Sequence, residues 1–360
     1  MNKNNKNIII ATGGTGGHIF PAVSLAKYLK KNGYRPILTT DERGKKFIDK
    51  KFIEKIKLIE SSSLNKKKLL SFFKILLATV KSIIFIFKTK PNFIFGMGGY
   101  ASFPVCFAGL ILRTPLIIYE NNLLMGKANR YLTPFAKKIF VSYKDIQGIN
   151  IKHKEKVKVT GNILRESILN YSKVSEGEQL NNLRLLVLGG SQAAKVFAEQ
   201  LPDIFIALKK NNINLKVYQQ CLDEQKINLQ KIYDANKIDY ELFSFTFDVL
   251  KYYNLTNLVI SRAGSSALAE FLNCRIPIIS IPLASSSENH QLKNAQYFNE
   301  KGFSLLVEEK DIKNKLFNLL ELIHKDKSVL KTIEINQKKH SDKNVFEIVK
   351  KEIIKLFYEN

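Results

Sequence analysis

The chain has 360 residues, enough for two domains with cores of their own, and its 45% hydrophobic content is ordinary for a globular protein. Three scattered cysteines, Cys106, Cys221 and Cys274, have neither metal-ligand spacing nor a pairing pattern, which excludes a disulfide framework and points to a reducing, cytosolic compartment. The net charge of +25 has two readings: drift in a chain rich in Lys, Asn and Ile, or attraction to an anionic surface such as nucleic acid or lipid headgroups.

The opening "MNKNNKN" runs straight into a β-branched run, so no secretory leader is expected. Ile8, Ile9 and Ile10 read as a short strand buried on both faces. From Ile19, the residues Ala22, Val23, Leu25, Ala26 and Leu29 recur at helical spacing until Gly33. "GGTGGH" (13–18) is therefore a strand-to-helix turn. Its glycines admit positive φ and leave no side chain between backbone and ligand. The unpaired N–H groups of the helix start favour an anion. A turn that only packs helix on strand is the plainer alternative. The loop is neither a Walker A sequence, since His18 and Ile19 stand where Lys and Ser/Thr are needed, nor a dinucleotide fingerprint, which needs Gly at 19. Asp41, near the end of the second predicted strand, could mimic the ribose-binding acid of dehydrogenases.

The segment 66–90, "KKKLLSFFKILLATVKSIIFIFKTK", is too interrupted by charge to span a bilayer. On a helix Lys67, Lys74, Lys81 and Lys88 form one stripe, with Ser71 and Ser82 expected beside it and apolar residues elsewhere. This is either a lipid-facing helix with a basic edge or an ordinary α/β-layer helix. Strand and helix patterns then alternate, with a second glycine-rich turn at Gly96, Gly98 and Gly99. A polar, acidic stretch near 165–183 reads as a linker. The alternation restarts at "LRLLVLGGSQAAKVFAEQL", with strands expected near 215–218, 239–243, 257–260, 276–280 and 303–306. Repeated βα units imply mainly parallel, doubly wound sheets. The expected architecture is α/β: two Rossmann-like domains facing a cleft, covering 1–164 and 165–340. A last helix (341–360) crosses back to the first.

The second half offers Ser191, Gln192, Arg262, Ser265, Ser266, Glu270 and Gln291 at strand ends, a hydrogen-bonding set for sugars and phosphates. No dense carboxylate or His/Cys group suggests a metal, so helix N-termini, backbone amides and an Arg would carry a diphosphate's charge. Glu270 follows "RAGSS" on a helix, where a carboxylate could bridge the vicinal hydroxyls of a ribose; the alternative is a surface Glu. His18 sits at a helix N-terminus, which favours the neutral, base-competent imidazole; the alternative is a His that caps the turn.

"GGTGGHIFPA", "GMGGYASFP", "GN…R", "GGSQ", "SRAGSSALAE" and "ENHQLKNA" together resemble the MurG family of UDP-N-acetylglucosamine transferases, over nearly the whole chain. The resemblance implies a GT-B fold and metal-free, cofactor-free, inverting transfer of GlcNAc from UDP-GlcNAc. The acceptor it implies is the 4-hydroxyl of MurNAc in undecaprenyl-linked lipid I, and the product is lipid II. It implies a peripheral enzyme on the cytoplasmic face of the bacterial inner membrane, docked on anionic lipid through 66–90, with other cell-wall enzymes as partners and no nucleic acid. By resemblance His18 is the general base or positions it. Thr15, Gly16 and Gly17 lie against the donor sugar or the acceptor diphosphate. Asn122 and Arg165 line the cleft, Arg165 near the donor, and Ser191 touches the donor. Gly264, Ser265, Ser266 and Ala267 meet the diphosphate, Glu270 the ribose and Gln291 the GlcNAc hydroxyls. Backbone near Thr246 holds the uracil.

The chain departs from that family in three places. Ala193 replaces a glycine. "YENN" replaces His-Glu-Gln-Asn, which brings in Tyr119 and Asn121. "GNILR" replaces Gly-Asn-Pro-Val-Arg, so Arg165 loses a rigid proline before it. Rival readings are a non-catalytic basic protein, which explains only the charge, a glycolipid transferase, and a UDP-GlcNAc 2-epimerase. The last needs an acidic and His cluster for which only His18 and Glu270 are candidates. A dehydrogenase fails on glycine spacing.

Overall fold

The computed structural model describes residues 6–14, 16–48, 56–60, 68–172, 182–190 and 195–358. The chain divides into two compact units, Met1–Glu166 with Asp342–Asn360, and Ser167–Ser341.

The strands of the first unit are β1 (Asn7–Ala11), β2 (Arg35–Thr40), β3 (Ile56–Leu58), β4 (Phe93–Gly96), β5 (Leu116–Glu120), β6 (Lys138–Val141) and β7 (Val157–Val159). Its helices are α1 (Gly16–Lys31), α2 (Glu42–Lys45), α3 (Lys68–Thr89), α4 (Ser102–Ile111) and α5 (Lys127–Leu132). A short α6 (Glu166–Leu169) begins the passage out of the unit. All strand pairs are parallel, in the order β3-β2-β1-β4-β5-β6-β7. The order reverses direction between β1 and β4, so both glycine-rich turns leave the sheet at its switch point, where a doubly wound sheet binds ligands. Ile8, Ile9 and Ile10 are fully buried, as a strand covered on both faces requires.

The second unit repeats the plan. Its strands are β8 (Leu183–Leu188), β9 (Leu215–Gln220), β10 (Asp239–Phe243), β11 (Leu258–Ser261), β12 (Ile278–Ser280) and β13 (Leu305–Leu306), in the order β10-β9-β8-β11-β12-β13, again all parallel. The helices are α7 (Lys195–Lys210), α8 (Asp223–Ala235), α9 (Leu250–Leu255), α10 (Ser265–Cys274), α11 (His290–Glu300), α12 (Ile312–Lys325) and α13 (Ser328–Lys338). Leu185, Val187, Val217, Ile260 and Ile279 of the sheet pack with Phe197, Leu201 and Phe205 of α7 and Leu316 and Leu320 of α12.

The final helix, α14 (Val345–Tyr358), belongs to the first unit. Phe346 stacks on Tyr28 of α1 with ring centroids 4.5 Å apart, and Val345, Val349 and Ile353 are buried. Asp342, just before it, accepts from the Asn162 backbone N–H at 2.9 Å and from its side-chain amide at 3.1 Å.

The helix α3 corrects one expectation. Ser71 and Ser82 do not flank the lysines: with Ala78, Thr79 and Ile86 they form the buried face, and Thr79 and Ser82 donate to carbonyls four residues back. The bulky side chains face solvent instead. Phe72, Phe73, Leu76, Leu77, Val80, Ile84 and Phe87 are all exposed, Phe87 to 68%. Among the described residues no helix is long and apolar enough to cross a membrane.

Candidate active site

In the first unit the two glycine-rich turns are pressed together. A Cβ on Gly13 would lie 2.3 Å from the Ala101 Cβ, and one on Gly99 would lie 2.5 Å from the Gly13 carbonyl oxygen. These two glycines serve packing, so the plainer reading of the turn holds for part of it. Gly14 differs: its φ is +85°, and a Cβ there would meet nothing within 4 Å. Gly98 makes room for His18, since its Cβ would fall 3.0 Å from the imidazole Cε1 and Nδ1. His18 thus stands in the first turn of α1, half-buried, with its ring over the second glycine turn. Gly16 is buried and Gly17 half-buried in the same turn; Thr15 lies outside the described residues.

Pro21 sits inside α1 and has no N–H, so the Gly17 carbonyl loses its helical donor. The Asn121 side-chain amide supplies one instead, at 3.0 Å. Asn121 belongs to the loop after β5, and this hydrogen bond ties that loop to the start of α1. The loop itself is organised by Glu120. Its Oε1 accepts from the Asn122 backbone at 3.1 Å and side-chain amide at 2.9 Å; its Oε2 accepts from Gly126 N–H at 3.0 Å and Asn129 Nδ2 at 2.9 Å. A buried carboxylate so surrounded by donors holds the loop in one conformation. The Asn122 amide therefore points inward to Glu120.

Asp41 is not a ribose acid. It is buried, accepts from Gly44 N–H at 2.9 Å as the N-cap of α2, pairs with Arg43 at 2.6 Å, and receives a long bond from Gly14 N–H at 3.4 Å. It builds the floor of the turn. Arg165, in the first unit, lies with its guanidinium carbon 5.8 Å from the Phe20 ring centre, beside α1.

In the second unit the turn from β11 to α10 carries the sequence's "SRAGSS". Gly264 caps α10 at φ −69° and ψ 132°, and a Cβ there would meet nothing within 4 Å. Neither conformation nor packing among the described residues requires glycine here. Ser265 and Ser266 are buried in the first turn and Ala267 is half-buried. Glu270, one turn further on, is 7% exposed and accepts from the Tyr253 hydroxyl at 3.1 Å, which overturns the surface-Glu alternative. Asn294 of α11 donates to the Ala263 carbonyl at 3.3 Å and braces the turn; it stood unremarked inside "ENHQLKNA". Gln291 uses its side-chain oxygen to accept from Leu283 N–H at 3.0 Å, which turns its amide nitrogen into the donor end. Thr246 accepts from Asp248 N–H at 3.1 Å, in a loop that also exposes Phe245 and Phe247, edge to face with centroids 5.0 Å apart.

Arg262 is a clamp, not a ligand-facing group. Its guanidinium pairs with Glu309 at 2.5 Å, donates to the Ile281 and Pro282 carbonyls, and lies 4.8 Å from the Phe197 ring centre. It binds the ends of β11 and β12 to α7. Gly190 has φ +81° with open space above it, after β8. Ser191, Gln192 and Ala193, which follow, lie outside the described residues.

The chain matches the glycosyltransferase family 28 N-terminal domain over residues 8–141 and the C-terminal domain of the same family over 184–349. A curated relative from Pelagibacter ubique (strain HTCC1062) is 35% identical over 99% of this chain and 100% of its own length. Another, from Rickettsia canadensis (strain McKiel), is 37% identical over 85% of this chain and 87% of its own. Both are named UDP-N-acetylglucosamine–N-acetylmuramyl-(pentapeptide) pyrophosphoryl-undecaprenol N-acetylglucosamine transferase. Among solved structures, MurG of Acinetobacter baumannii superposes with a TM-score of 0.77 at 24% identity, over 97% of this chain and 99% of that one. A UDP-N-acetylglucosamine 2-epimerase also superposes, with a TM-score of 0.70 at 13% identity over 99% and 97% of the two chains, so the fold by itself does not choose between chemistries. The identity over full length does choose a lineage: this chain belongs to glycosyltransferase family 28 and, within it, to the MurG family.

Proposed function

We propose that the protein transfers GlcNAc from UDP-GlcNAc to the 4-hydroxyl of MurNAc in lipid I, giving lipid II, with inversion and without a metal or cofactor. The names of its full-length relatives support this reading. The structural observation that carries it is Gly264, a helix-capping glycine with open space above it, nearly two turns before the buried carboxylate of Glu270 on the same helix. That pairing suits a nucleoside diphosphate: anionic oxygens on the N–H groups of the helix start, and a ribose on the carboxylate.

In this reading the second unit holds the donor. The turn Gly264–Ala267 receives the diphosphate with Ser191 nearby, Glu270 the ribose hydroxyls, the Gln291 amide a GlcNAc hydroxyl, and backbone near Thr246 the uracil. The first unit takes the acceptor, with Thr15, Gly16 and Gly17 toward its diphosphate and sugar and Asn122 held in the neighbouring loop by Glu120, while Arg165 serves the donor. His18 accepts the proton of the 4-hydroxyl as that oxygen attacks the anomeric carbon. The bond from that carbon to UDP breaks, and the electron pair goes to the departing phosphate oxygen, whose charge the α10 N–H groups meet. The enzyme works as a peripheral protein on the cytoplasmic face of the inner membrane. The outward apolar side of α3, edged by Lys74, Lys81 and Lys88, supports docking on anionic lipid.

The test is transfer of radiolabelled GlcNAc from UDP-GlcNAc to a short-chain lipid I analogue with EDTA present, for wild type and His18→Ala. Wild-type transfer and a loss of roughly 10²–10⁴-fold in the variant is the expected result. Equal rates would remove His18 from the proton transfer. No transfer by folded wild type that still binds UDP-GlcNAc would overturn the acceptor assignment.

A further inference from the structure

We propose that Tyr119 is a positioning residue for Arg165: its hydroxyl fixes the segment on which Arg165 is carried. The inference rests on the reading above that puts Arg165 at the donor.

Residues 160–165 leave β7 and lead out of the first unit, and successive residues are pinned to it. Thr160 N–H donates to the Val141 carbonyl at 2.9 Å. Gly161 has φ +87°, and a Cβ there would lie 2.5 Å from Asp342 Oδ1. Asn162 is held twice by Asp342. Ile163 N–H donates to the Tyr119 hydroxyl at 2.9 Å in a buried bond. Two residues on, Arg165 lies against Phe20.

Tyr119 is 1% exposed, and its hydroxyl lies 3.0 Å from Ser142 Oγ. Burial raises its pKa well above the usual value, so the group stays a neutral phenol at any working pH. The hydroxyl accepts from the Ile163 N–H and shares a second hydrogen bond with the Ser142 hydroxyl. The hydroxyl thus joins the end of β5, β6 and the segment 160–165 at one buried point. A phenylalanine would fill the same space and satisfy none of these groups.

The bond also answers the departure at position 163. A proline would fix φ and bring no N–H. Isoleucine leaves φ free and introduces a buried donor that must be satisfied. Tyr119, the departure in "YENN", accepts that N–H and ties the backbone at this point to the end of β5. The two departures meet in one buried hydrogen bond, two residues before Arg165.

The experiment uses the full chain. Tyr119→Phe should raise KM for UDP-GlcNAc about five- to tenfold while kcat changes less than about twofold, the scale of one orphaned buried donor. Adding Ile163→Pro removes the orphan and restrains φ, so the double variant should return KM toward wild type. In an Arg165→Ala background Tyr119→Phe should add nothing to KM. Hydrogen exchange over residues 160–166 should quicken in Tyr119→Phe while exchange in β1 and β4 does not. A residue that merely fills the core would lower the melting temperature and leave KM untouched, and that result overturns the proposal. So does a Tyr119→Phe effect that persists in full without Arg165. Unchanged exchange over 160–166 would remove the clasp itself. A wild-type KM in Arg165→Ala alone would instead remove Arg165 from the donor, whatever the exchange shows.

Discussion

Replacing Gly264 with alanine separates a glycine kept for a ligand from one kept for the fold. At φ −69° and ψ 132° alanine is unstrained, and its Cβ meets no atom of the described residues within 4 Å. Two terms act on stability. Loss of glycine's freedom in the unfolded chain stabilises by about 0.4–1 kcal/mol. Alanine is a poorer N-cap than glycine, which costs about 0.5–1 kcal/mol. They offset, so the melting temperature should move by no more than roughly 2–4 °C for a unit of this size. Binding is different. A methyl group in the space where a phosphate oxygen approaches the α10 N–H groups removes at least one charge-assisted hydrogen bond, about 1.5–3 kcal/mol. That is a Kd for UDP weaker by roughly ten- to a hundredfold. Titration calorimetry with UDP and scanning calorimetry on the same preparation give both numbers. UDP affinity equal to wild type would refute the assignment of that space to the donor. Gly13→Ala is the contrasting control: with its Cβ 2.3 Å from that of Ala101, it should lose stability first and binding only as a consequence.

Glutamate at Leu77 or Phe87 should abolish co-sedimentation with anionic vesicles, while transfer to a water-soluble acceptor analogue stays within about twofold, because both side chains point away from the core; vesicle binding that survives would detach α3 from the membrane. Asp342→Ala should cost about 2–3 kcal/mol in urea denaturation, since it strips a buried carboxylate from two Asn162 donors; an unchanged midpoint would show that the pair contributes nothing net. Acid should weaken the second unit through His324, whose pKa is lowered by burial and then by Lys327 and Lys325. The unfolded chain takes up that proton near pH 6.5 and the folded one only at lower pH, so this contribution is present above about pH 6.5 and lost as pH falls below it. His324→Gln should therefore narrow the gap between urea midpoints at pH 7.5 and 5.5; an equal gap would refute the sign.

The sheets were legible because they depend on local pattern. A fully buried isoleucine run at β1, apolar runs spaced by helical periods, and a glycine turn opening each half all arise from neighbours in sequence. The purpose of each glycine was not legible. Gly13, Gly14 and Gly98 look alike in a string of letters, yet one is crowded by Ala101, one has a positive φ under open space, and one makes way for an imidazole. Those differences come from the pairing of β1 with β4, whose partners are more than 80 positions apart. The same distance hid the orientation of α3. Its serines looked suited to solvent beside lysine, but Ser82, like Thr79, donates its hydroxyl to a carbonyl four residues back, so it goes inside without an orphaned group and lets the helix approach closely.

Polar residues at strand ends divide by what they must satisfy. Asn121 was noticed as a departure, and its amide fills a carbonyl that Pro21 had left without a donor. Glu120, Asp41 and Arg262 each spend their charge on the loops that surround them. Such groups are costly when buried, and nearby N–H groups, a carbonyl or a counter-ion must offset the cost before any ligand arrives. A site is therefore built from two populations that composition cannot distinguish: polar groups already saturated by the protein, and positions such as Gly14 and Gly264 where the protein stops short and leaves backbone facing empty space. Substitution in the first population should disturb folding and catalysis together. Substitution at Gly264, whose φ suits alanine, should disturb binding alone, and Gly264→Ala set against Asp342→Ala puts that division to a direct comparison within one chain.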